Sequence, residues 1–113
     1  MRSDRERLLD ILEGIERIEK YTEFGRASFD EDELVQTWVI HHLQIIGEAA
    51  RGLSETTITQ HPEIPWRNII GMRHILVHNY FGIDAAIAWR AVKDDLPDLK
   101  SNVQTLLEDS SIT

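Results

Sequence analysis

The stretch Gly71-Met-Arg-His-Ile-Leu-Val-His-Asn-Tyr-Phe-Gly-Ile-Asp84 decides how this chain is read. Four side chains able to carry protons or bind phosphate, Arg73, His74, His78 and Tyr80, fall within eight residues. Ile75, Leu76 and Val77 lie between them, so the segment is not a solvated polar loop. The pattern predicts the last two turns of a helix, a break at Phe81-Gly82, and a new helix beginning at Asp84. Gly82 can take the left-handed conformation that ends a helix, and Asp84 is a good N-cap. A helix end rimmed by cations and a phenol is suited to holding a phosphodiester.

Upstream, the same helical signals recur. Ser3 and Glu6 have the spacing of a capping box. Leu8, Ile11, Leu12, Ile15 and Ile18 return every three or four residues, which predicts a helix over 4–21 with Arg5, Glu13, Glu16, Arg17 and Glu19 on its solvated side. Residues 25–29 are expected as a loop. A second helix is expected over 30–52, capped by Asp30 with Glu33 in its first turn. Leu34, Trp38, Ile45 and Ala49, with Val35, Val39 and Ile46, form so broad an apolar band that this helix is expected at the centre of a bundle. Gly47 and Ala49 are small enough to let a neighbouring backbone approach. His41, His42 and Glu48 interrupt the band and are expected as packing or interface residues.

Ser54 is expected to cap a short helix ending near Gln60 before His61-Pro62. Pro65 suits the first turn of the next helix, expected over 66–79. Downstream, Ile87, Ala88, Ala91 and Val92 mark a helix over 84–95. Pro97 restarts or kinks it, and Leu99, Val103, Leu106 and Leu107 complete the stripe. No strand pattern or repeat is visible. The class is all-α, a single domain over 1–113 built as a bundle of about five helices.

Composition narrows the function. The 113 residues suffice for one core. No cysteine is present, which excludes disulfides and thiolate metal sites. No apolar run approaches the roughly 18 residues of a membrane span, and the charged start lacks a signal-type apolar run; a cytoplasmic protein is expected. A net charge of −8 argues against a protein that coats nucleic acid by long-range attraction, but leaves room for a local basic site.

On one regular helix Arg73 and His78 would lie about 140° apart, so they do not share a face. They converge if the His78 ring swings past the helix end, or if a second copy of the helix supplies the partner across a two-fold axis. Arginine offers a planar fork of donors and keeps its charge. Histidine, with a reference pKa of about 6.5, suits proton transfer. The pair could cleave RNA without metal: His78 handles the 2′-hydroxyl or leaving-group proton, and Arg73 stabilises the charged phosphorane. Alternatively, His74 and His78, at i and i+4, present two imidazoles to a divalent metal, with Glu48, His41 and His42 as candidate third ligands.

The Arg-x4-His spacing, with a polar residue after the arginine and Asn-Tyr after the histidine, resembles the signature of the HEPN superfamily. Ile45-Ile46-Gly47-Glu48-Ala49-Ala50, the Trp66–Arg73 stretch, Leu76–Asp84 and Asp95-Leu96-Pro97 resemble its HepT-like branch, so the likeness spans nearly the whole chain. The resemblance implies a five-helix domain that forms a two-fold homodimer, with the motifs of both subunits in one cleft. It implies a metal-independent endoribonuclease toxin of a toxin–antitoxin pair, with no cofactor, and with tRNA and mRNA both open as substrates. It places the catalytic arginine at Arg73 and the catalytic histidine at His78, with His74 and Asn79 supporting. It implies an antitoxin that is a small nucleotidyltransferase of the MNT type, adding AMP to Tyr80. His41 stands where many relatives carry an arginine, a departure that bears on how basic the cleft is. The competing function is a non-catalytic HEPN module that binds a nucleotidyltransferase partner.

Overall fold

The N-terminal helix begins where its capping box sits. In the computed structural model, which describes residues 2–74 and 85–113, the Glu6 N–H donates to the Ser3 hydroxyl and the Ser3 N–H donates to the Glu6 carboxylate. This starts α1 (Asp4–Thr22), whose stripe Leu8, Ile11, Ile15 and Ile18 is fully buried. Each such side chain contributes about 1.5–3 kcal/mol by leaving water. Gly14 lets α1 approach α3 closely: a Cβ there would lie 2.9 Å from the Ile46 side chain.

The expected loop over 25–29 is instead a short helix, α2 (Arg26–Glu31). Gly25, at φ 91, turns the chain in the left-handed region and lets a new helix start. Phe29 then anchors α2 in the core, and Arg26 pairs with Asp30 across one turn. Asp30 is therefore not the cap of the next helix. Asp32 has that role, in an extended conformation, with its carboxylate accepting from the Val35 N–H.

Helix α3 (Glu33–Arg51) lies along α1. Its core face is Val39, Ile40, Leu43, Ile46, Gly47 and Ala50. The band expected from sequence splits here. Leu34 is 84% exposed, Ile45 is exposed, and Trp38 is half-buried with its indole N–H donating to the Arg17 carbonyl. Periodicity marked these residues as apolar; α1 covers Trp38 in part, through Arg17 and Tyr21, while no element among the described residues covers Leu34.

Helix α4 (Glu55–Gln60) is capped by Ser54 as expected. Helix α5 (Trp66–Gly71) follows Pro65 and tightens into a 3-10 turn, Met72–His74, with Trp66, Ile69 and Met72 buried. The continuation expected to residue 79, the Phe81-Gly82 break and the Asp84 cap lie outside the described residues. Helix α6 (Ala85–Arg90) passes through a π turn, Ala91–Asp95, into α7 (Leu96–Leu107). Pro97 has no N–H and its ring would crowd the carbonyl four residues back; the wider turn accommodates it. Leu96, Leu99, Val103 and Leu106 seal the bundle. The described residues contain no strand, and no described helix is long and apolar enough to cross a membrane. The all-α class is the observed one.

Candidate active site

Arg73 sits on the 3-10 turn that ends α5, where α3 passes beneath it. Gly47 makes the crossing close. A Cβ at Gly47 would lie 2.6 Å from the Arg73 backbone nitrogen and 3.0 Å from the Ile70 carbonyl oxygen. Only glycine fits, although it costs a helix interior about 1 kcal/mol relative to alanine. The small residue noted in the sequence is thus what seats the arginine.

The next residue of α3, Glu48, holds the Arg73 side chain. Arg73 Nε lies 3.5 Å from Glu48 Oε2, and Glu48 Oε1 lies 3.5 Å from Arg51 Nη1. The Arg73 side chain is 29% exposed. Among the described residues Glu48 is its ion-pair partner, approached through Nε. In sequence Glu48 is a polar residue on an apolar helix and a candidate metal ligand. Its role as the arginine's partner is a tertiary contact that spacing does not reveal.

His74 follows Arg73 and is exposed at the end of the 3-10 turn. His78, Asn79 and Tyr80 lie outside the described residues, so the distance from Arg73 to His78 is not part of this geometry. The metal reading through His74 and His78 is half outside it for the same reason. Among the described residues, no group of three or more His, Cys, Asp or Glu side chains is placed to hold a metal ion.

His41 and His42 point to different surroundings. His41 is exposed and lines a groove of about 450 Å³ between α1 and α3 with Arg7, Asp10, Ile45 and Glu48. It stands two helical turns before Glu48 on one face of α3, so the groove runs toward the partner of Arg73. His42 is buried, packed edge-on against Trp38 with ring centroids 4.4 Å apart. Burial, with the nearby His41 and Arg17, pushes its pKa below the ordinary value. Neither histidine is placed as a metal ligand; His42 is a core residue, as a histidine on an apolar helix face usually is.

The site is thus a guanidinium seated by a glycine, steered by a carboxylate, and carried on the turn that leads into His78 in sequence. The described residues form an all-helical domain with a partly exposed, carboxylate-paired arginine at a helix end. The model of the family described as ribonuclease HepT-like matches residues 11–106. A protein of Thermococcus cleftensis, named probable ribonuclease HepT, is 43% identical over 106 residues, which cover 93% of this chain and 96% of that protein. A protein of Methanocaldococcus jannaschii provisionally named an RNase is 37% identical over 98 residues, covering 86% and 90% of the two chains. Another so named, from Caldanaerobacter subterraneus, is 32% identical over 109 residues, covering 96% and 97%. No solved structure matches the chain. The chain belongs to the HepT-like ribonuclease family.

Proposed function

We propose that the protein is a metal-independent endoribonuclease, the toxin of a toxin–antitoxin pair, in which Arg73 and His78 act on one phosphodiester. The observation that carries this is the seating of Arg73: a backbone packed against Gly47, and a partly exposed guanidinium whose Nε edge faces Glu48. A guanidinium held this way is pre-organised to stabilise charge that develops on a phosphorane. His78 takes or returns the 2′-hydroxyl and leaving-group protons, with His74 and Asn79 in support. The product is a 2′,3′-cyclic phosphate, since the 2′-oxygen is the nucleophile.

The working unit is a homodimer. Leu34 and Ile45, with the half-buried Trp38 between them, form a partly exposed apolar stripe on α3 that continues through Glu48 toward Arg73. Pairing this stripe across a two-fold axis would cover it and bring two arginines toward one cleft. Control falls to a nucleotidyltransferase of the MNT type that adds AMP to Tyr80, two residues beyond His78. The tethered phosphate would then compete with RNA for the guanidinium at high effective concentration.

The test is purified protein with total RNA in EDTA, wild type against Arg73→Ala. Cleavage by the wild type that survives chelation, and a loss of about 10²–10³-fold in the variant, is expected from removing one transition-state donor. Wild-type activity that disappears in EDTA and returns with a divalent ion would move the mechanism to a metal. No cleavage at all would leave the non-catalytic module as the better account. Mass spectrometry of protein co-expressed with the nucleotidyltransferase, wild type against Tyr80→Phe, tests the control mechanism.

A further inference from the structure

Away from the Arg73 turn, α2 and α6 enclose a second concave site. Its volume is about 320 Å³, and it is lined by Arg26, Ala86, Trp89, Arg90, Lys93 and Asp94. Three of these residues are cations and one is acidic, in a chain whose net charge is −8. Local sign governs what approaches such a site, because exposed charges more than about 8–10 Å away are largely screened at physiological salt.

The cations are not used up by the fold. Arg26 shares its Nε with Asp30 Oδ2 at 3.3 Å, yet its side chain stays 57% exposed. Arg90 and Lys93 are exposed and have no ion-pair partner among the described residues. Trp89 is half-buried. One part of the indole packs on Phe29, ring centroids 5.2 Å apart and tilted by 42°, which fixes the side chain from below. The rest lines the cavity among the cations. The spacing 86, 89, 90, 93 places these residues on one side of the chain as it leaves α6.

An anchored indole that shares one pocket with two guanidinium groups and an ammonium, against a single carboxylate, has the chemistry of a nucleotide subsite. The cations meet phosphate oxygens, and the aromatic surface offers a stacking platform. A single such platform suits an unpaired base. In an A-form duplex the bases are already stacked within the helix, and recognition runs through phosphates and 2′-hydroxyls over a wide span.

We infer that the Arg26–Trp89–Arg90–Lys93 pocket is a binding subsite for single-stranded RNA, engaging a nucleotide outside the scissile phosphodiester. The inference rests on the ribonuclease reading for the identity of the ligand. It explains how an acidic protein retains RNA: a few localised cations suffice where a broadly basic surface is absent.

The test measures binding apart from cleavage. Protein carrying Arg73→Ala, to suppress cutting, is titrated into a fluorescent unstructured oligoribonucleotide at several salt concentrations. The same is done after adding Arg90→Glu with Lys93→Glu. The expected result is at least about a ten-fold weakening near 0.1 M salt, with the salt slope reduced by about 1.4, as two lost phosphate contacts on a single strand imply. Arg90→Gln with Lys93→Gln, a gentler pair, should shift binding in the same direction and covers the case in which charge reversal disturbs folding. Trp89→Leu should weaken binding several-fold while leaving the salt slope alone. Unchanged affinity in both double variants overturns the proposal, as does a duplex RNA that binds as tightly as the single strand. Absence of any RNA binding by the Arg73→Ala protein overturns it as well. Cleavage of total RNA by the wild type is scored separately, so failure of this subsite and failure of the ribonuclease reading give different results.

Discussion

Two carboxylates tie helices together in this protein, and they do so in opposite ways. Asp4, in the first turn of α1, accepts from the Ser54 N–H at 2.9 Å, from the Ser54 hydroxyl at 2.6 Å and from the Thr57 hydroxyl at 2.6 Å. Glu48, on α3, stands 3.5 Å from each of two arginines and is half-exposed. The Asp4 contact is closed: burial alone would raise its pKa, but the bonds from Ser54 and Thr57 outweigh that and hold the carboxyl below its ordinary value. The Glu48 contact is open, steering Arg73 without using up its donors. A short, saturated contact fastens the N-terminus of α1 to the cap of α4. A long, unsaturated one leaves the Arg73 side chain 29% exposed. Distance and saturation separate the structural carboxylate from the one at the site, although both are acids near a helix end.

The change that should break this contrast most severely is Gly47→Ala. The added Cβ meets backbone atoms of Arg73 and Ile70, which cannot rotate away as a side-chain tip would. Overpacking of this kind costs about 1–3 kcal/mol, and relief requires the 3-10 turn to move off α3. Arg73 moves with that turn. The expected outcome is a folded, less stable protein whose RNA cleavage falls by at least about ten-fold. A melting curve and a cleavage assay on the same preparation check it. Full activity at lowered stability would show that Gly47 seats the helices but not the arginine.

Asp4→Ala should act on stability alone. Removing an ionised acceptor of three hydrogen bonds costs about 2 kcal/mol after allowance for its partial exposure, or on the order of 5–10 °C in Tm for a domain of this size. The sign with pH follows from the lowered pKa. Because the folded carboxyl titrates below its ordinary 3.8, its contribution is complete above about pH 4 and is lost as pH falls through the folded value. The gap between wild type and variant should therefore close in acid. His42 adds a separate slope at higher pH. Its folded pKa lies below 6.5, so the unfolded chain binds the proton first and stability declines as pH drops below about 6.5. Thermal melts between pH 3 and 8 resolve the two windows, and His42→Leu should flatten the upper one.

Which of these features could be read from sequence depends on how local they are. The Ser3–Glu6 box and the Ser54 cap are contacts within one turn, and both stand where the residues predict them. The helix α2 is held by Phe29 packing against Trp89, a contact between distant segments, and its short text resembles a loop. Leu34 and Ile45 of α3 are as apolar in sequence as Ile40 and Leu43. Only the positions of α1 and α5 decide that Ile40 and Leu43 are covered while Leu34 and Ile45 are not. Near Arg73, the close approach at Gly47 was legible from that residue's size. The Glu48–Arg73 pairing required the crossing of α3 under the 3-10 turn, which no periodicity encodes.

The smallest expected effect is that of Glu48→Gln, and it is the most direct test of what the open carboxylate does. The pair is long and partly exposed, so its loss should change stability by no more than about 0.5 kcal/mol. Glutamine keeps the shape and one acceptor oxygen, so packing on α3 is preserved. What changes is the charge beside Arg73. If Glu48 orients the guanidinium, kcat should fall a few-fold, because the fork is no longer aimed. If Glu48 only screens the guanidinium from RNA, the outcome reverses: substrate binds more tightly, KM falls, and kcat is unchanged. A purely structural carboxylate would move neither parameter. Measuring kcat and KM together, in the wild type, Glu48→Gln and the charge-conserving Glu48→Asp, separates the three cases. Partial recovery by aspartate of whichever parameter glutamine loses would identify charge near Arg73 as the operative property.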